Sequence, residues 1–423
     1  MPYIARITLG KYMNIWCISK YASPPKYGVA ARIFYLAKEF VKKENPTILI
    51  TSDSNHLASY PDTEKPYNYE NIDGIELIWT KNKKYKKTAS MARIWSWLDF
   101  ELSLFRMDRR KLFNPDIIIV SSLSLLSIVY GYYLKKKHNA LLVLEVRDIW
   151  PLTLVAEGGF NRFHPLCIFL SIIEKFGYAK SDLIVGTMPR LDKHIKNILR
   201  YEKPFFCSPL GFDPEVMRER KMSDHRQLKT YFPKDKIIIG YAGSMGISNN
   251  LETFIRCIPA FVANDHIHFV LVGGGDLRAR YESILSLQPN VTFAPKITPS
   301  QVPYFLDQCD VLYLSTHSSE VWEYGQSMNK VVEYMYAGKP VVASYSGYPS
   351  MLNEANSGIF VEPNDIELLK LALLQVTQMS NLERVEMGSR GKVWVENNRT
   401  YEKLAEEYLK LLDHLVEKRE LRV

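Results

Sequence analysis

Three polar residues in the second half of the chain have the types and spacing that a nucleotide site needs. Residues 324–342 predict a helix that begins near Met328. Its first turn would carry Asn329 and Lys330, where a cation and free N–H groups can hold a diphosphate. Glu333 would lie roughly 5 Å deeper on the same face, where a carboxylate can accept two ribose hydroxyls. An ordinary amphipathic helix with an exposed Lys–Glu pair fits this spacing equally well.

Glycines mark three predicted strand-to-helix junctions, in residues 21–28, 240–246 and 273–276. Glycine lets the backbone approach a phosphate, and the following helix N-terminus adds N–H groups and a positive dipole. None of the three matches the dinucleotide fingerprint or the P-loop. Each one alone is explained by a turn that requires a positive φ. Together, at corresponding places in two α/β units, they favour a nucleotide diphosphate as ligand.

A further charged pair, Arg147 and Asp148, follows a predicted strand at residues 141–145. In parallel α/β sheets, binding sites lie beyond the carboxyl ends of the strands. Asp148 can therefore orient a substrate hydroxyl, and Arg147 can bind a phosphate or carboxylate. A structural ion pair is the alternative, since such pairs commonly serve folding.

The elements that must position these residues alternate between short apolar runs and helical periods, which predicts parallel α/β sheets. A polar segment at residues 213–231 interrupts the alternation, which then restarts. We therefore predict two successive doubly wound domains, residues 1–210 and 211–396, with the active cleft between them. The predicted strands are residues 14–19, 47–51, 75–80, 116–120, 141–145, 182–186, 237–241, 268–272, 291–294, 311–314 and 340–343. The predicted helices are residues 29–43, 125–137, 188–200, 250–263, 299–308, 328–337 and 400–418.

Composition limits the class of protein. The 423 residues are 47% hydrophobic and 24% charged, which excludes a disordered, fibrous or polytopic membrane protein. Five scattered cysteines without a C-x-x-C pair predict neither disulfides nor a zinc site, and the histidines show no metal-ligand spacing. We see no signal peptide and no apolar run long enough to span a bilayer. A cytoplasmic protein, soluble or peripheral, is expected.

Charge is unevenly distributed along the chain. Residues 1–210 hold 31 Lys and Arg against 19 Asp and Glu, whereas residues 211–423 hold 23 against 27. The excess is concentrated in the basic run Lys81–Lys87, which precedes Trp95 and Trp97. Lysines beside tryptophans suit an anionic membrane surface. No nucleic-acid-binding motif accompanies them, so no nucleic-acid partner is expected. A solvated basic loop followed by a core helix is the alternative.

At residues 329–342 the sequence resembles the nucleotide-binding signature of the GT-B glycosyltransferases of glycosyltransferase family 4. Other segments agree in order and spacing. Residues 19–28 are similar to the acceptor-side glycine loop, and residues 240–246 and 271–276 to the two glycine turns of the family. Residues 145–151 resemble the segment after the fifth strand in the branch of the family that makes bacterial surface polysaccharides. Residues 291–314 are similar to the base-binding strand and helix of the family.

The resemblance implies a GT-B fold with two Rossmann-like domains and a C-terminal helix, within residues 397–423, that returns to the first domain. It implies a retaining, metal-independent hexosyltransferase without a cofactor, which moves a sugar from a nucleotide-diphosphate donor, a UDP-sugar. The implied acceptor is lipid-linked or a glycan in O-antigen, capsule or exopolysaccharide synthesis, at the inner face of the cytoplasmic membrane. The expected donor-binding residues are Gly243, Ser244, Gly246, Gly274, Lys296, Ile297, Met328, Asn329, Lys330 and Glu333. Those expected on the acceptor side are Lys26, Tyr27 and Gly28, and those in catalysis are Arg147, Asp148 and Lys330.

Two departures from the family pattern bear on catalysis. The first of its two glutamates is replaced by Gly325, and the turn 243–250 lacks the usual phosphate-binding Arg and Lys. Lys330 is the candidate substitute, because a departing UDP needs positive charge. Two other functions stay open: a UDP-N-acetylhexosamine 2-epimerase, which uses similar domains, and a partner in a polysaccharide assembly complex that has lost catalysis.

Overall fold

The computed structural model describes residues 12–28, 31–55, 59–60, 64–85, 91–122, 125–222 and 226–421, except the side chains of residues 221, 222, 226 and 227. Parts of several predictions fall outside them. Residues 1–11, at the start of the first predicted domain, lie outside the described residues, as do residues 29–30 of the first predicted helix, Lys86 and Lys87 of the basic run, and the last two residues of the predicted region 397–423.

The first half of the chain forms a sheet of eight strands in the order β3-β4-β2-β1-β5-β6-β7-β8, parallel except for the edge strand β3. Its central strands are buried along their whole length, which explains why they are mostly apolar. The strands are β1 (Ile15–Ile18), β2 (Thr47–Ser52), β3 (Tyr67–Ile72), β4 (Ile75–Thr80), β5 (Ile117–Ser121), β6 (Leu141–Val146), β7 (Leu183–Gly186) and β8 (Phe205–Cys207).

The second half forms a parallel sheet of six strands in the order β11-β10-β9-β12-β13-β14. The change of sheet falls between Cys207 and Ile237, a span that contains the predicted domain boundary. These strands are β9 (Ile237–Ala242), β10 (Ile267–Val272), β11 (Val291–Ala294), β12 (Val311–Ser315), β13 (Val341–Ser344) and β14 (Gly358–Val361).

Helices cover both faces of each sheet, and the described residues of each half form two large apolar clusters, one on either side of its strands. The first-domain helices are α1 (Arg32–Lys42), α2 (Met91–Arg106), α3 (Ser127–His138), α4 (Leu152–Ala156), α5 (Pro165–Lys180) and α6 (Leu191–Leu199). The others are α7 (Pro214–Met222), α8 (Glu252–Cys257), α9 (Arg278–Ile284), α10 (Val302–Asp307), α11 (Asn329–Tyr336), α12 (Met351–Glu354), α13 (Ile366–Gln378), α14 (Asn381–Asn398) and α15 (Tyr401–Glu420). The predicted architecture, two doubly wound domains with the cleft between them, is confirmed.

The last helix returns to the first domain. Tyr401 stacks on Tyr35 of α1 with ring centroids 4.9 Å apart, and Tyr408 lies edge-on to Phe40 at 5.7 Å. The apolar side of α15 belongs to the same cluster as β1, β2 and β4. A segment more than 350 residues later in the chain therefore completes the core of the first domain.

The two tryptophans of the predicted membrane surface both lie on helix α2 but face opposite sides of it. Trp95 is 57% exposed, whereas Trp97 is 6% exposed and donates its indole N–H to Tyr21 Oη at 2.7 Å. The prediction that Trp97 belongs to that surface is therefore wrong, because a helical residue two positions from an exposed one faces the core. Among the described residues, no helix is long and apolar enough to cross a membrane.

Candidate active site

Helix α11 begins as predicted, one residue after Met328. Met328 has an extended backbone (φ −112°, ψ 132°) and precedes Asn329 and Lys330 in the first turn. The first N–H groups of a helix have no partner within the helix, and they carry its positive dipole. Asn329 lines a cavity of about 540 Å³ between the two domains. This helix end can therefore receive an anion from the cavity.

Lys330 lies against the glycine turn at residues 240–246. Its Nζ is 3.1 Å from Tyr241 Oη, 3.0 Å from Asn249 Oδ1 and 4.5 Å from the centre of the Tyr241 ring. A Cβ placed on Gly243 would lie 2.8 Å from this Nζ, so a larger residue there would displace the ammonium group. Burial lowers the pKa of Lys330 to about 8. A cation therefore reaches the turn that lacks one in its own sequence.

The two glycine turns of the second domain pack directly on each other. Met245 N–H donates to Gly274 O at 2.7 Å, and Gly243 N–H donates to Val272 O at 3.0 Å. Gly273 has φ +142°, and a Cβ there would meet Gly243 O at 1.7 Å. This close backbone approach is the physical reason for glycine at the end of β10. Ser244 and Gly246 lie in the same turn as Gly243, as predicted.

Glu333 faces the cavity one turn along α11. Its carboxylate Oε1 is 3.7 Å from Nη1 of Arg220, a residue of α7, and the two side chains are 30% and 26% exposed. Burial raises the pKa of Glu333, and the Arg220 guanidinium opposes that change. The carboxylate is therefore available to a ligand that enters the cavity.

Lys296 and Ile297, the residues predicted to lie along the base, also line this cavity. A Cβ on Gly274 would lie 3.6 Å from Lys296 Cδ, which places the lysine stem beside the second glycine turn. Of the predicted donor-binding residues, the cavity is therefore lined by Lys296, Ile297, Asn329 and Glu333. The other predicted donor-binding residues are not part of its lining: Gly243, Ser244, Gly246, Gly274, Met328 and Lys330.

The first domain contributes two arginines, Arg32 and Arg147, to the opposite side of the cavity. Arg32 Nη2 lies 3.4 Å from Glu145 Oε2 and donates to Ser208 O at 2.8 Å, with both charged side chains fully buried. Arg147 also lines the cavity, and its Nη1 is buried without a hydrogen-bond partner among the described residues. A buried guanidinium N–H without a partner is rare in proteins and favours a ligand anion.

The Asp148 carboxylate accepts hydrogen bonds from two residues that follow it closely in the sequence. Its Oδ2 accepts from Trp150 Nε1 at 2.7 Å, and its Oδ1 accepts from Thr153 Oγ1 at 2.6 Å. These bonds fix the orientation of the carboxylate at the start of α4. A carboxylate has about four lone-pair positions, so two remain for a substrate hydroxyl. Its predicted catalytic role stays a prediction.

The three acceptor-side residues do not share one location. Gly28 lines the cavity. Lys26 and Tyr27 turn towards Glu70 of β3, with Tyr27 Oη donating to Glu70 Oε1 at 2.8 Å and Lys26 Nζ 3.9 Å away. Of the loop 26–28, the glycine alone is in contact with the cavity.

Gly325, at the position of the missing family glutamate, is in contact with the first domain. It has φ +103°, and a Cβ there would lie 2.5 Å from Pro189 Cδ. The preceding Tyr324 accepts a hydrogen bond from Arg190 N at 2.9 Å. An acidic side chain has no room at this position, so the departure follows from how the two domains pack.

Sequence reasoning missed four residues of the site: Arg32, Arg220, Tyr241 and Asn249. Arg32 begins a largely apolar helix and Arg220 lies in a charged one, neither of them with a motif, so no local signal marks them. Tyr241 and Asn249 flank the glycine turn, and their proximity to it in the sequence could have indicated them. No cluster of three or more His, Cys, Asp or Glu side chains suited to a metal occurs in the described parts of the chain.

Residues 236–379 match the family model described as glycosyl transferases group 1. The predicted enzyme class, a glycosyltransferase, is confirmed by this match together with the fold. The match covers most of the second domain, including both glycine turns and α11. A comparison with curated proteins finds no match.

Solved structures resemble nearly the whole chain at low sequence identity. Sucrose-phosphate synthase from Thermosynechococcus elongatus is 16% identical with a TM-score of 0.70, over 95% of this chain and 99% of its own. A structure of trehalose-6-phosphate from E. coli bound with UDP-2-fluoro glucose is 13% identical with a TM-score of 0.71, over the same shares. HepE of Anabaena, in complex with UDP and glucose, is 12% identical with a TM-score of 0.62, over 95% and 99%. The likeness confirms the predicted GT-B fold.

Proposed function

We propose that this glycosyltransferase moves a sugar, with retention of configuration, from a UDP-sugar to a lipid-linked or glycan acceptor in cell-surface polysaccharide synthesis. The observation that carries the proposal is the arrangement of α11. Lys330 reaches the Gly243 turn, while Glu333 faces the same cavity as Lys296 and Ile297. Two structures of similar fold are described with UDP or a UDP-sugar bound, which supports the choice of donor.

In the proposed reaction the bond from the sugar C1 to the diphosphate breaks and a glycosidic bond to the acceptor oxygen forms. Lys330 and the N–H groups at the start of α11 stabilise the charge on the leaving UDP. The leaving diphosphate takes the proton of the acceptor hydroxyl, so no metal ion or cofactor is needed. Asp148 orients the hydroxyl, and Arg147 binds a phosphate or carboxylate of the substrate. Closure of the cleft aligns the groups and excludes water.

The acceptor would be reached at the inner face of the cytoplasmic membrane. The exposed side of α2 is an apolar stripe of Met91, Trp95, Leu98, Leu102 and Phe105. Their spacing of three or four residues places them on one face of the helix. An exposed stripe of this length marks an interaction site rather than an ordinary surface.

Helix α5 carries further exposed apolar side chains. Ile168, Phe169 and Ile172 are exposed on it, and α3 is in contact with both α2 and α5. The basic residues Lys81, Lys83 and Lys84 precede α2, and Arg106 ends it. Apolar side chains beside cations match the interface of an anionic bilayer, and we propose this surface as the membrane contact.

Binding of nucleotides to the full chain tests the donor assignment. We expect UDP to raise the melting temperature, because a ligand that binds only the folded state stabilises it by mass action, and GDP to do so less. Absence of UDP binding by calorimetry would favour the inactive assembly partner. Formation of an epimerised UDP-N-acetylhexosamine without acceptor would favour the epimerase.

Co-sedimentation with vesicles tests the membrane contact. The wild-type chain should pellet with vesicles that contain anionic lipid at low salt, and Trp95→Ser combined with Leu102→Ser should weaken this at least several-fold. Leu371→Ser, at an exposed position of α13, is the matched control and should pellet as the wild type does. Equal pelleting of all three proteins would contradict this surface.

A further inference from the structure

A second cavity lies in the first domain, apart from the one between the domains. Its volume is about 490 Å³, within the range of small-molecule sites. It is formed by the ends of α3 and α15 together with residues at the starts of β6, β7 and β8. Among the described residues, four cations and one carboxylate line this distal cavity: Lys135, Lys136, Lys418 and Arg419, and Asp182. The excess of positive charge suits an anionic ligand.

The carboxylate of the distal cavity is already paired. Asp182 Oδ1 accepts from Lys135 Nζ at 2.6 Å, and Asp182 Oδ2 accepts from Leu142 N at 2.8 Å. Lys135 Nζ donates in addition to Lys180 O at 3.0 Å. Asp182 therefore balances the charge of Lys135 and leaves the other three cations of the lining uncompensated.

A further lysine, next to the lining residue Pro204, adds to the positive charge. Lys203 Nζ donates to two backbone carbonyls within residues 179–181, at 3.1 and 2.6 Å. Burial lowers the pKa of Lys203, and the Asp182 carboxylate opposes this change. The charges of Lys135 and Lys180 lower the pKa further, so these like charges repel one another. A bound anion would relieve this repulsion.

Helix dipoles are the alternative explanation for these cations. Three helices, α3, α5 and α15, end at or beside the distal cavity with basic residues in the last turn, where the dipole stabilises a positive charge. That explanation suits Arg419, whose guanidinium donates to Asn139 O at the end of α3. Lys136 and Lys418 are exposed, and they make no hydrogen bond or ion pair among the described residues. Their ammonium groups are therefore available to a ligand.

The distal cavity and the cavity between the domains lie at opposite ends of two shared elements. Strand β6 begins at Leu141 in the distal cavity and is followed by Arg147 in the other, roughly 20 Å away. Helix α15 begins at Tyr401, which lines the cavity between the domains, and reaches the distal cavity at Lys418, about 26 Å further on. A ligand of one cavity cannot contact a ligand of the other, so the distal cavity is a separate site.

We propose that the distal cavity binds a phosphate-bearing anion, which fixes the end of α15 to the first domain. The ammonium group of lysine binds phosphate as a point charge. A phosphate bound by both Lys136 and Lys418 joins α3 to α15 and reinforces the contact between Arg419 and Asn139. A soluble diphosphate and the headgroup of an anionic lipid offer this same chemistry.

Titration calorimetry with inorganic pyrophosphate tests the soluble source. The cavity variant combines Lys136→Met with Lys418→Met. The control combines Lys175→Met with Lys410→Met, which removes the same charge from exposed positions of α5 and α15 outside the lining. The parent protein and both variants carry Lys330→Met, so that binding at the donor site is reduced. We expect the Kd of pyrophosphate to rise at least tenfold in the cavity variant and to stay within about twofold in the control.

Co-sedimentation with vesicles of phosphatidylcholine and phosphatidylglycerol tests the lipid source. Here the same two pairs are introduced together with Trp95→Ser and Leu102→Ser, so that pelleting through α2 is weakened. Weaker pelleting of the cavity variant alone, without binding of pyrophosphate, would assign the phosphate to a lipid headgroup. Equal binding by the cavity variant and the control in both experiments, or no binding of either probe by their parent proteins, would overturn the proposal.

Amide hydrogen exchange tests whether the anion fixes α15. The probe that binds should slow exchange in the last two turns of α15 in the parent protein, because a ligand that bridges α3 and α15 opposes local opening of the helix end. The cavity variant should lack this protection, and the control should keep it. Binding that leaves the exchange of α15 unchanged would overturn the proposed fixing of the helix.

Discussion

Two Arg–Glu pairs lie on opposite sides of the cleft at similar distances and in different surroundings. Arg32 and Glu145 are 3.4 Å apart in the first domain, with side chains 1% and 0% exposed. Arg220 and Glu333 are 3.7 Å apart in the second domain, with about a quarter of each exposed. Burial makes the first pair part of the fold, since neither charge can be left alone there. Exposure leaves the second pair free to exchange its partner for a ligand.

The guanidinium of Arg32 also binds the segment that joins the domains. It donates to the carbonyls of Ser208 and Pro209, at the end of the first domain. Arg220 has no comparable anchor role among its described contacts, and its helix α7 lines the cavity. The comparison teaches that the same two residue types bind the inter-domain segment on one side of the cleft and, on the other, leave a carboxylate open to the ligand that we propose.

Removing each arginine should give the largest difference between the pairs. Arg32→Met leaves Glu145 charged and buried without its ion-pair partner, so the free energy of unfolding should fall by about 3–5 kcal/mol. Arg220→Met removes a partly exposed pair and should cost at most about 1 kcal/mol. Denaturant unfolding of both variants measures this difference. Equal losses would show that exposure does not distinguish the two pairs.

Loss of the cation at the glycine turn should give the next largest effect, on turnover. Lys330→Met removes the charge that stabilises the leaving UDP, and we expect kcat to fall about 10²–10³-fold. Lys392→Met is the matched control, because Lys392 lies over the Tyr336 ring outside the cleft much as Lys330 lies over Tyr241. Unchanged turnover in Lys330→Met would remove this residue from the mechanism.

Neutralising the ribose-side carboxylate should affect binding. Glu333→Gln loses a charge-assisted hydrogen bond, worth about 1.5–3 kcal/mol, so the Kd of UDP should rise about 10–100-fold. Glu323→Gln, at an exposed position before α11, should leave it unchanged. Titration calorimetry with UDP measures both. A Kd within twofold of the wild type for Glu333→Gln would place the ribose elsewhere.

The pH dependence of UDP binding should show the smallest effect. Because the pKa of Lys330 is lowered by burial to about 8, the side chain loses its charge as the pH rises through 8. The Kd of UDP should therefore rise above pH 8, by at most about tenfold per pH unit, and stay flat below it. Lys330→Met should lack this dependence. A wild-type Kd that is constant from pH 7 to 9.5 would contradict a charged Lys330 as the ligand of the diphosphate.

Buried parallel strands were predictable because their apolar runs are continuous. Predicted residues 75–80 and 291–294 agree with β4 and β11 to the residue. The edge strand β3, with sequence YNYENI, was not predicted, since only edge exposure allows so polar a strand. The predicted helix 250–263 ends as a 3-10 turn from Ile258, because Pro259 cannot continue the helical hydrogen bonds.

The site was predictable where its residues are neighbours in the sequence. Asn329, Lys330 and Glu333 lie on one helix, so their common location follows from the helical period. Arg32, Arg147 and Arg220 reach the cavity from three different elements. Only the tertiary fold brings them together. The pairing of Arg32 with the buried carboxylate of Glu145 cannot be predicted from the sequence around either residue. The same holds for Gly325, where Pro189 of the other domain leaves no room for a side chain.

The position of α15 has a consequence for synthesis of the chain on the ribosome. The first domain is complete in sequence by about residue 210, yet its apolar cluster includes Tyr408 and Leu412 of the last helix. At roughly 5–20 residues per second, translation of the intervening segment takes about 10–40 seconds. During this time the nascent first domain exposes the groove that α15 will fill. A stop codon before Tyr401 should therefore yield a product that chaperones retain and proteases degrade.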